Sequence, residues 1–190
     1  MKIVGEKSID DRLREIEVRH PNLVGVAFGQ VVIVAYKDPG FLQVYNDGIL
    51  WDTFPLTAKS GKMGPKLRDG DRQIPEGAYT INALNPNSSY HLSLRISYPN
   101  PDDRSRSQTM GITDLGKDIY IHGKEISIGC LAIGDDAIEK VFYAVARSTK
   151  RPTQVLIAPN EAVLGDDQYR AFYAKLRQEI NKVSGKLLPN

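Results

Sequence analysis

The feature that most constrains the fold is a set of three consecutive apolar segments separated by turn residues. The segments are VVIVAY, FLQVY and ILWDTFPL, which begin at Val31, Phe41 and Ile49. Each is rich in β-branched and aromatic residues, and each has the length of a strand rather than a helix. Asn46-Asp47-Gly48 separates the last two segments and supplies the positive φ angles that a tight hairpin needs. The sequence therefore predicts a β-rich domain that contains this hairpin.

More strands are expected further along the chain, with Gly- and Pro-rich loops between them. Polar turn residues predict a loop at 59–73, and Pro99 and Pro101 predict a second loop that extends to Gly116. The additional strand segments are AYTINAL from Ala78, HLSLRISY from His91, DIYIHG from Asp118 and TQVLIA from Thr153.

Three segments repeat apolar residues at helical spacing. The first follows Ser8, a helix cap with an acid three residues on, and ends at Pro21. The second is capped by Asp135-Asp136, and the third opens at Asp166 with Gly185 just past its end. Their apolar stripes are Ile9, Leu13 and Ile16; Ile138, Val141, Phe142 and Val145; and Phe172, Tyr173, Leu176 and Ile180. The predicted fold class is therefore mostly β with peripheral helices.

The length of 190 residues suits one domain with extensions. We divide the chain into an N-terminal helical extension (1–30), a β-rich domain (31–160) and a C-terminal helix packed on it (161–190). A net charge of +2 without a Lys/Arg run argues against a nucleic-acid partner. The most apolar stretch, from Leu23 to Tyr36, is too short and interrupted to span a bilayer. The N-terminus as given lacks the apolar core of a signal peptide.

The stretch IHGKEISIGC, residues 121–130, contains the only cysteine and one of the three histidines. An imidazole beside a thiol favours the thiolate, so His122 and Cys130 are candidates for a base and a nucleophile. Gly123 lets the chain leave a strand, and Gly129 leaves room for a substrate carbonyl near backbone N–H groups. A buried cysteine and a hydrogen-bonded scaffold histidine would have the same spacing. Spacing alone leaves both interpretations open.

The amino-acid sequence of this stretch resembles the signature of the L,D-transpeptidase catalytic-domain (YkuD-type) family, which is His, a short loop, then Ser/Thr-His-Gly-Cys. His122 matches the catalytic histidine, and Cys130 matches the nucleophile. Ser127 and Gly129 match the Ser/Thr and the glycine. Other stretches agree in order, namely VYNDGILWDTFPLTAKSG, IPEGAYTI, YHLSLRISYPNPDDR and the pair Ile138-Glu139. The last two resemble the YafK-like murein branch, and the resemblance covers about Val31 to Pro159.

Three departures from the common family pattern bear on the pocket. Ile128 replaces the histidine that usually precedes Gly-Cys, which changes the pocket wall but not the base. Ala132 replaces a frequent Arg or Asn, so that a substrate contact is lost or moved. The loop from His122 to Cys130 is also shorter than usual.

The resemblance implies a sandwich-like β domain whose cysteine attacks peptidoglycan tetrapeptide stems and forms a thioester acyl-enzyme. An amine acceptor would complete an L,D-transpeptidase reaction. Water as the acceptor would make the protein an L,D-carboxypeptidase or amide hydrolase. Two further hypotheses are a non-catalytic wall-binding module and an unrelated cysteine protease. No metal or organic cofactor is implied, and the implied location is the cell envelope, the periplasm or outside the cell.

Three residues outside the signature are candidates for substrate binding. His91 lies in the branch-specific strand, where it could line the cleft or make a structural hydrogen bond. Tyr98 and Arg104 lie in the following loop, where they could recognise charged groups of the stem or belong to a solvated turn.

Overall fold

The computed structural model describes residues 6–58, 60–163 and 167–185. Within these ranges there are eight strands, two short 3₁₀ helices (Pro21–Leu23 and Asp167–Tyr169) and four α-helices. The strands are β1 Gln30–Asp38, β2 Phe41–Asn46, β3 Ile49–Pro55, β4 Gly77–Asn85, β5 Ser93–Ile96, β6 Tyr120–His122, β7 Leu131–Ala132 and β8 Lys150–Asn160. The α-helices are α1 Ile9–Arg19, α2 Pro101–Thr109, α3 Asp135–Arg147 and α4 Arg170–Ser184.

All eight strands belong to one curled mixed sheet in the order β3-β2-β1-β8-β4-β5-β6-β7. The pairs β1–β8 and β6–β7 are parallel, and the other neighbours are antiparallel. The predicted hairpin joins β2 to β3, with φ angles of 49° at Asp47 and 80° at Gly48. The prediction of a mostly β fold with peripheral helices is confirmed.

Strand β1 is covered on both faces, which explains why its sequence is a continuous apolar run. Val31, Ile33 and Ala35 belong to the larger core, together with buried residues of α1 and α3. The alternate residues Val32, Val34 and Tyr36 belong to a second core. Helix α4 covers that second core with Tyr173, Leu176 and Ile180.

The predicted helix boundaries can now be compared with the observed ones. Ser8 and Asp11 form a complete capping box at the start of α1, and the helix ends just before Pro21. The apolar stripe predicted for α3 is fully buried. Asp166, the predicted first residue of the last helix, lies outside the described residues, whereas Gly185 caps α4 with a φ of 62°. The division of the chain at residues 30 and 160 stays a prediction.

One loop was predicted wrongly, because residues 101–109 form the helix α2. Asn100 and Asp103 make a capping box, and Pro101 occupies the first turn, where its missing N–H costs nothing. The strand pattern from His91 is also shorter than predicted, and β7 was not predicted at all. No helix in the described ranges has both the length and the apolar character needed to cross a membrane.

Candidate active site

The sheet brings His122 and Cys130 into one cavity. His122 is the last residue of β6, and Cys130 directly precedes β7, the parallel neighbour of β6. The two short strands are in register through Ile121 and Leu131, whose side chains are buried on the opposite face. The cavity has a volume of about 330 Å³. Its lining consists of Asn85, Ser88, Ser89, Tyr90, Ser93, Tyr120, His122, Ile126, Ser127, Ile128 and Cys130.

The imidazole of His122 is buried, and its orientation fixes its tautomer. Its Nδ1 lies 2.6 Å from the carbonyl oxygen of Gly123. A carbonyl oxygen only accepts, so Nδ1 carries the proton and Nε2 keeps a free lone pair. Burial lowers the pKa of His122, which favours the neutral ring. The ring of Tyr90 packs against this imidazole, with 4.5 Å between centroids. The arrangement presents Nε2 as a base.

The thiol of Cys130 is partly buried, and burial raises its pKa above the ordinary value. The Tyr120 backbone and the charge of Lys66 oppose this effect only in part. The described residues show no hydrogen bond between Cys130 and His122; the Sγ atom instead lies 3.9 Å from the carbonyl oxygen of Asp118. The expectation that the imidazole lowers the thiol pKa is therefore not met in this structure. Both pKa shifts favour a neutral thiol and a neutral imidazole.

The loop before the cysteine is held by Ser127 and by two glycines. The Ser127 hydroxyl donates to the Cys130 carbonyl oxygen (2.7 Å) and accepts from the Cys130 N–H (2.9 Å). Gly129 has a φ of +126°, a conformation that other residues rarely adopt. A Cβ on Gly123 would lie 2.5 Å from Asp135 Oδ1 and 2.7 Å from the Tyr90 carbonyl oxygen. The loop is thus constrained at both ends, by close packing at Gly123 and by the backbone conformation at Gly129.

The structure does not bring the three outlying candidates into the cavity. His91 points to the buried carboxylate of Glu139, with 2.6 Å between Nε2 and Oε1. The buried Tyr98 donates its hydroxyl to the Leu115 carbonyl oxygen at 2.9 Å. Arg104 is exposed on α2. His91 therefore makes a structural hydrogen bond, and none of the three residues lines the cavity.

Two of the three sequence departures, Ile128 and Ala132, occupy different positions in the site. Ile128 lines the cavity and is 75% exposed, as is Ile126 at 72%, so both form an apolar rim. Ile128 is therefore part of the cavity wall, and the change relative to the family pattern stays a prediction. Ala132 is fully buried and pairs with His122 across β6 and β7, so it offers no surface to a substrate.

Sequence reasoning missed the opposite wall of the cavity. Asn85, Ser88, Ser89 and Tyr90 form it, at the end of β4 and in the turn before β5. The signal was available, because the polar run NPNSSY lies directly before the strand that pairs with His122. Among the described residues, no group of three or more His, Cys, Asp or Glu side chains could hold a metal ion.

These features define a cysteine-histidine site on the edge of a curled sheet. The sequence matches the family model described as the L,D-transpeptidase catalytic domain (YkuD) over residues 30–157, and the chain belongs to that family. The family prediction is confirmed.

Individual relatives agree with this assignment. YafK of Escherichia coli strain K12, itself assigned to the L,D-transpeptidases only provisionally, is 38% identical over 121 residues. That match covers 60% of this chain and 47% of YafK, so the chain spans about half the length of this relative.

Two solved structures share the fold. The helical cell shape determining protein Pgp2 from Campylobacter jejuni has a TM-score of 0.53 at 21% identity, and the match covers 92% of this chain and 64% of Pgp2. Bd1075 from Bdellovibrio bacteriovorus has a TM-score of 0.50 at 22% identity, with 82% of this chain and 56% of that protein covered.

Proposed function

We propose that this protein catalyses acyl transfer on peptidoglycan tetrapeptide stems, with Cys130 as nucleophile and His122 as base. One observation carries the proposal: both side chains line a single cavity in a chain of the L,D-transpeptidase family. The fixed tautomer of His122, with Nε2 unprotonated, supports the role of base. The site acts in the cell envelope, where its substrate lies.

The first half-reaction forms a thioester. His122 Nε2 takes the thiol proton while Sγ attacks the amide carbonyl that follows the L-centre of the third stem residue. The carbonyl oxygen becomes an oxyanion, and the C–N bond then breaks. His122 returns the proton to the departing amine of D-alanine. The neutral thiol, imidazole and amide give a neutral thioester and a free amine. The imidazolium of His122 and the oxyanion therefore exist only during the reaction.

Burial of Cys130 and His122 is consistent with a reaction that starts from two uncharged side chains. It raises the thiol pKa and lowers the imidazole pKa, so both groups rest uncharged. The Cys130 N–H is already bonded to Ser127. The Gly129 N–H has no hydrogen-bond partner within the described ranges and is the donor we assign to the oxyanion. Ser127 holds the Cys130 backbone so that the thiol keeps its direction.

The second half-reaction determines the name of the activity. An acceptor amine attacks the thioester carbonyl, His122 takes its proton, and the thiolate leaves and is reprotonated. A D-amino acid or a second stem as acceptor gives transpeptidation. Water gives a trimmed stem, and the exposed apolar rim at Ile126 and Ile128 leaves the cavity accessible to either acceptor. Retention of Cys130 and His122 disfavours a wall-binding module without catalysis.

The test is mass spectrometry of the products from a defined disaccharide tetrapeptide, with and without an added D-amino acid. We expect loss of D-alanine by the wild type and none by Cys130→Ala, whose fold is checked by thermal unfolding. Exchanged or crosslinked products establish transpeptidation, whereas tripeptide alone at high acceptor concentration establishes hydrolysis. Near-normal turnover by Cys130→Ala would end the nucleophile assignment.

A further inference from the structure

The floor of the cavity is built from side chains in a regular row. Strands β5 and β6 pair Ser93 with His122 and Arg95 with Tyr120. Side chains two positions apart on a strand share a face, so Arg95 lies on the face that carries Ser93, Tyr120 and His122. The parallel register of β6 with β7 places Cys130 beside Tyr120 on the same face. Arg95, Tyr120 and Cys130 therefore form one row across three adjacent chain segments.

This register sets the separation between the backbones of Cys130 and Arg95, the two ends of the row. Neighbouring strands lie roughly 4.8 Å apart, so the backbones of Cys130 and Arg95 are separated by roughly 10 Å. Asp118 closes the same side of the site, because its carbonyl oxygen is 3.9 Å from the Cys130 sulfur. Its carboxylate lies 3.1 Å from the Nη2 atom of Arg95. Burial and then the charge of Asp118 raise the pKa of Tyr120, whose hydroxyl is hydrogen-bonded to the Asp118 side chain.

The Arg95–Asp118 pair is open to a ligand. The two side chains are 40% and 43% exposed, and the Arg95 Nη2 atom contacts the Asp118 carboxylate. Arg95 Nε is buried and has no hydrogen-bond partner among the described residues. The N–H groups of the guanidinium that do not face Asp118 can still donate to a carboxylate.

Other charges near the site are less suitable for substrate recognition. None of the described residues that line the cavity is an Asp, Glu, Lys or Arg. The buried Lys66, whose charge acts on Cys130, is bound to Asp71 and to the Arg68 carbonyl oxygen. Lys124 lies on the Tyr90 side of the cavity, where its ammonium bonds the Ser89 carbonyl oxygen. The Arg95–Asp118 pair offers both signs of charge at the end of the row.

We propose that Arg95 and Asp118 form a subsite for a group that carries a carboxylate and an ammonium on one carbon. The proposal rests on the function proposed above. The third residue of a peptidoglycan stem is a diamino acid, and in diaminopimelate the far end of its side chain is such a zwitterion. Five extended bonds from the attacked carbonyl carbon reach roughly 6 to 7 Å. A hydrogen bond adds roughly 3 Å, which gives a reach similar to the backbone separation of Cys130 and Arg95. The subsite selects diaminopimelate stems over lysine stems.

The test compares release of D-alanine from three disaccharide tetrapeptides. One carries diaminopimelate, the second carries diaminopimelate with its side-chain carboxylate amidated, and the third carries lysine. We expect amidation to lower the wild-type kcat/KM about tenfold or more, as for loss of a charged hydrogen bond. In Arg95→Ala, amidation should have no further effect. Arg95→Lys should keep part of the preference, and Asp118→Asn should lower turnover of both diaminopimelate stems.

Two control variants separate this subsite from general charge effects. Arg104→Ala removes an exposed arginine outside the row, and Lys124→Ala removes the cation on the other side of the cavity. Both should respond to amidation as the wild type does. The subsite is overturned if Arg95→Ala and Arg95→Lys, folded by thermal unfolding, still respond to amidation fully. If the wild type releases D-alanine from none of the three stems, the proposed function fails, which is a different result.

Discussion

Two buried carboxylates, Glu76 and Glu139, have similar burial but different connections. Glu76 is 0% exposed and Glu139 is 5% exposed. Glu76 lies 2.9 Å from the Lys37 ammonium, and accepts from the Tyr173 hydroxyl at 2.6 Å and from the Gly64 N–H at 2.9 Å. These contacts join β1, α4 and the loop before β4. None of these contact partners of Glu76 lines the Cys130 cavity.

Glu139 has partners that connect it to the cavity of His122 and Cys130. Arg19 and His20, at the end of α1, contact the carboxylate at 2.7 to 2.8 Å. His91 contacts it at 2.6 Å from the other side, with a φ of 74°. The next residue toward the N-terminus, Tyr90, packs on the imidazole of His122. One buried carboxylate thus joins structural elements away from the cavity, whereas the other is connected through His91 and Tyr90 to His122 in the cavity.

The largest expected effect on stability is that of Glu76→Gln. It leaves the Lys37 ammonium buried without a counter-charge, in a site where burial already lowers the pKa of Lys37. Loss of one partner of a buried ion pair costs about 3–5 kcal/mol of unfolding free energy. Urea unfolding measures this loss. The matched control is Glu179→Gln, which removes the acid of an exposed pair with Lys182 and should cost at most about 0.5 kcal/mol.

The activity of Glu76→Gln tests whether Glu76 also affects the Cys130 cavity. Under conditions where Glu76→Gln is folded, its kcat/KM should stay within about threefold of the wild type, or ~0.7 kcal/mol. A tenfold loss without a change of stability would mean that Glu76 also reaches the site, and the contrast between the two carboxylates would disappear.

The second effect is that of Glu139→Gln, which should reduce both stability and activity. Three cationic or imidazole partners lose a charged acceptor, at a cost of about 2 kcal/mol, because Arg19 is partly solvated. The freed His91 no longer holds Tyr90 against His122, so kcat should fall while KM changes little. Unfolding in urea and steady-state kinetics on the same preparation separate the two. An unchanged kcat would remove the positioning role.

Acid provides a third test of the Glu139 cluster. Burial raises the pKa of Glu139, but the bonds from Arg19, His91 and His20 outweigh it and hold the pKa below its ordinary value of 4.5. A carboxylate with a depressed folded pKa stabilises the fold above its unfolded pKa, and that contribution is lost as pH falls through the folded pKa. The stability gap between wild type and Glu139→Gln should therefore be full near neutral pH and narrow below about pH 4.5. A gap that is constant down to about pH 3 would contradict the assignment.

The contrast also shows what could be predicted from the sequence. Local periodicity and turn residues were enough to predict the β2–β3 hairpin, strand β1 and the apolar stripe of α3. Helix α2 escapes such a prediction because Pro99 and Pro101 indicate a loop, although Asn100 and Asp103 form a capping box. The two-residue strand β7 has no periodicity to detect.

The site was predictable only where a short segment contains it. Residues 121–130 hold the family signature, and they supply both His122 and Cys130 to the cavity. Contacts of Glu139 with Arg19 and His91 span 120 and 48 positions, and a single sequence gives no sign of such pairing. Tyr98 and Arg104 were misplaced for the same reason, since α2 and the buried core decide where they point.

The smallest and most discriminating test compares the two imidazoles that share Glu139. His91→Asn and His20→Asn each remove one hydrogen bond to the same carboxylate, at about 1 kcal/mol each. Asn is chosen because it tolerates the positive φ at residue 91 better than most residues, and the same substitution at residue 20 keeps the two variants matched. Only His91 adjoins Tyr90, so His91→Asn should lower kcat severalfold, whereas His20→Asn should leave it near the wild-type value. Equal losses of kcat would show that Glu139 acts through stability alone, and that its difference from Glu76 is one of degree.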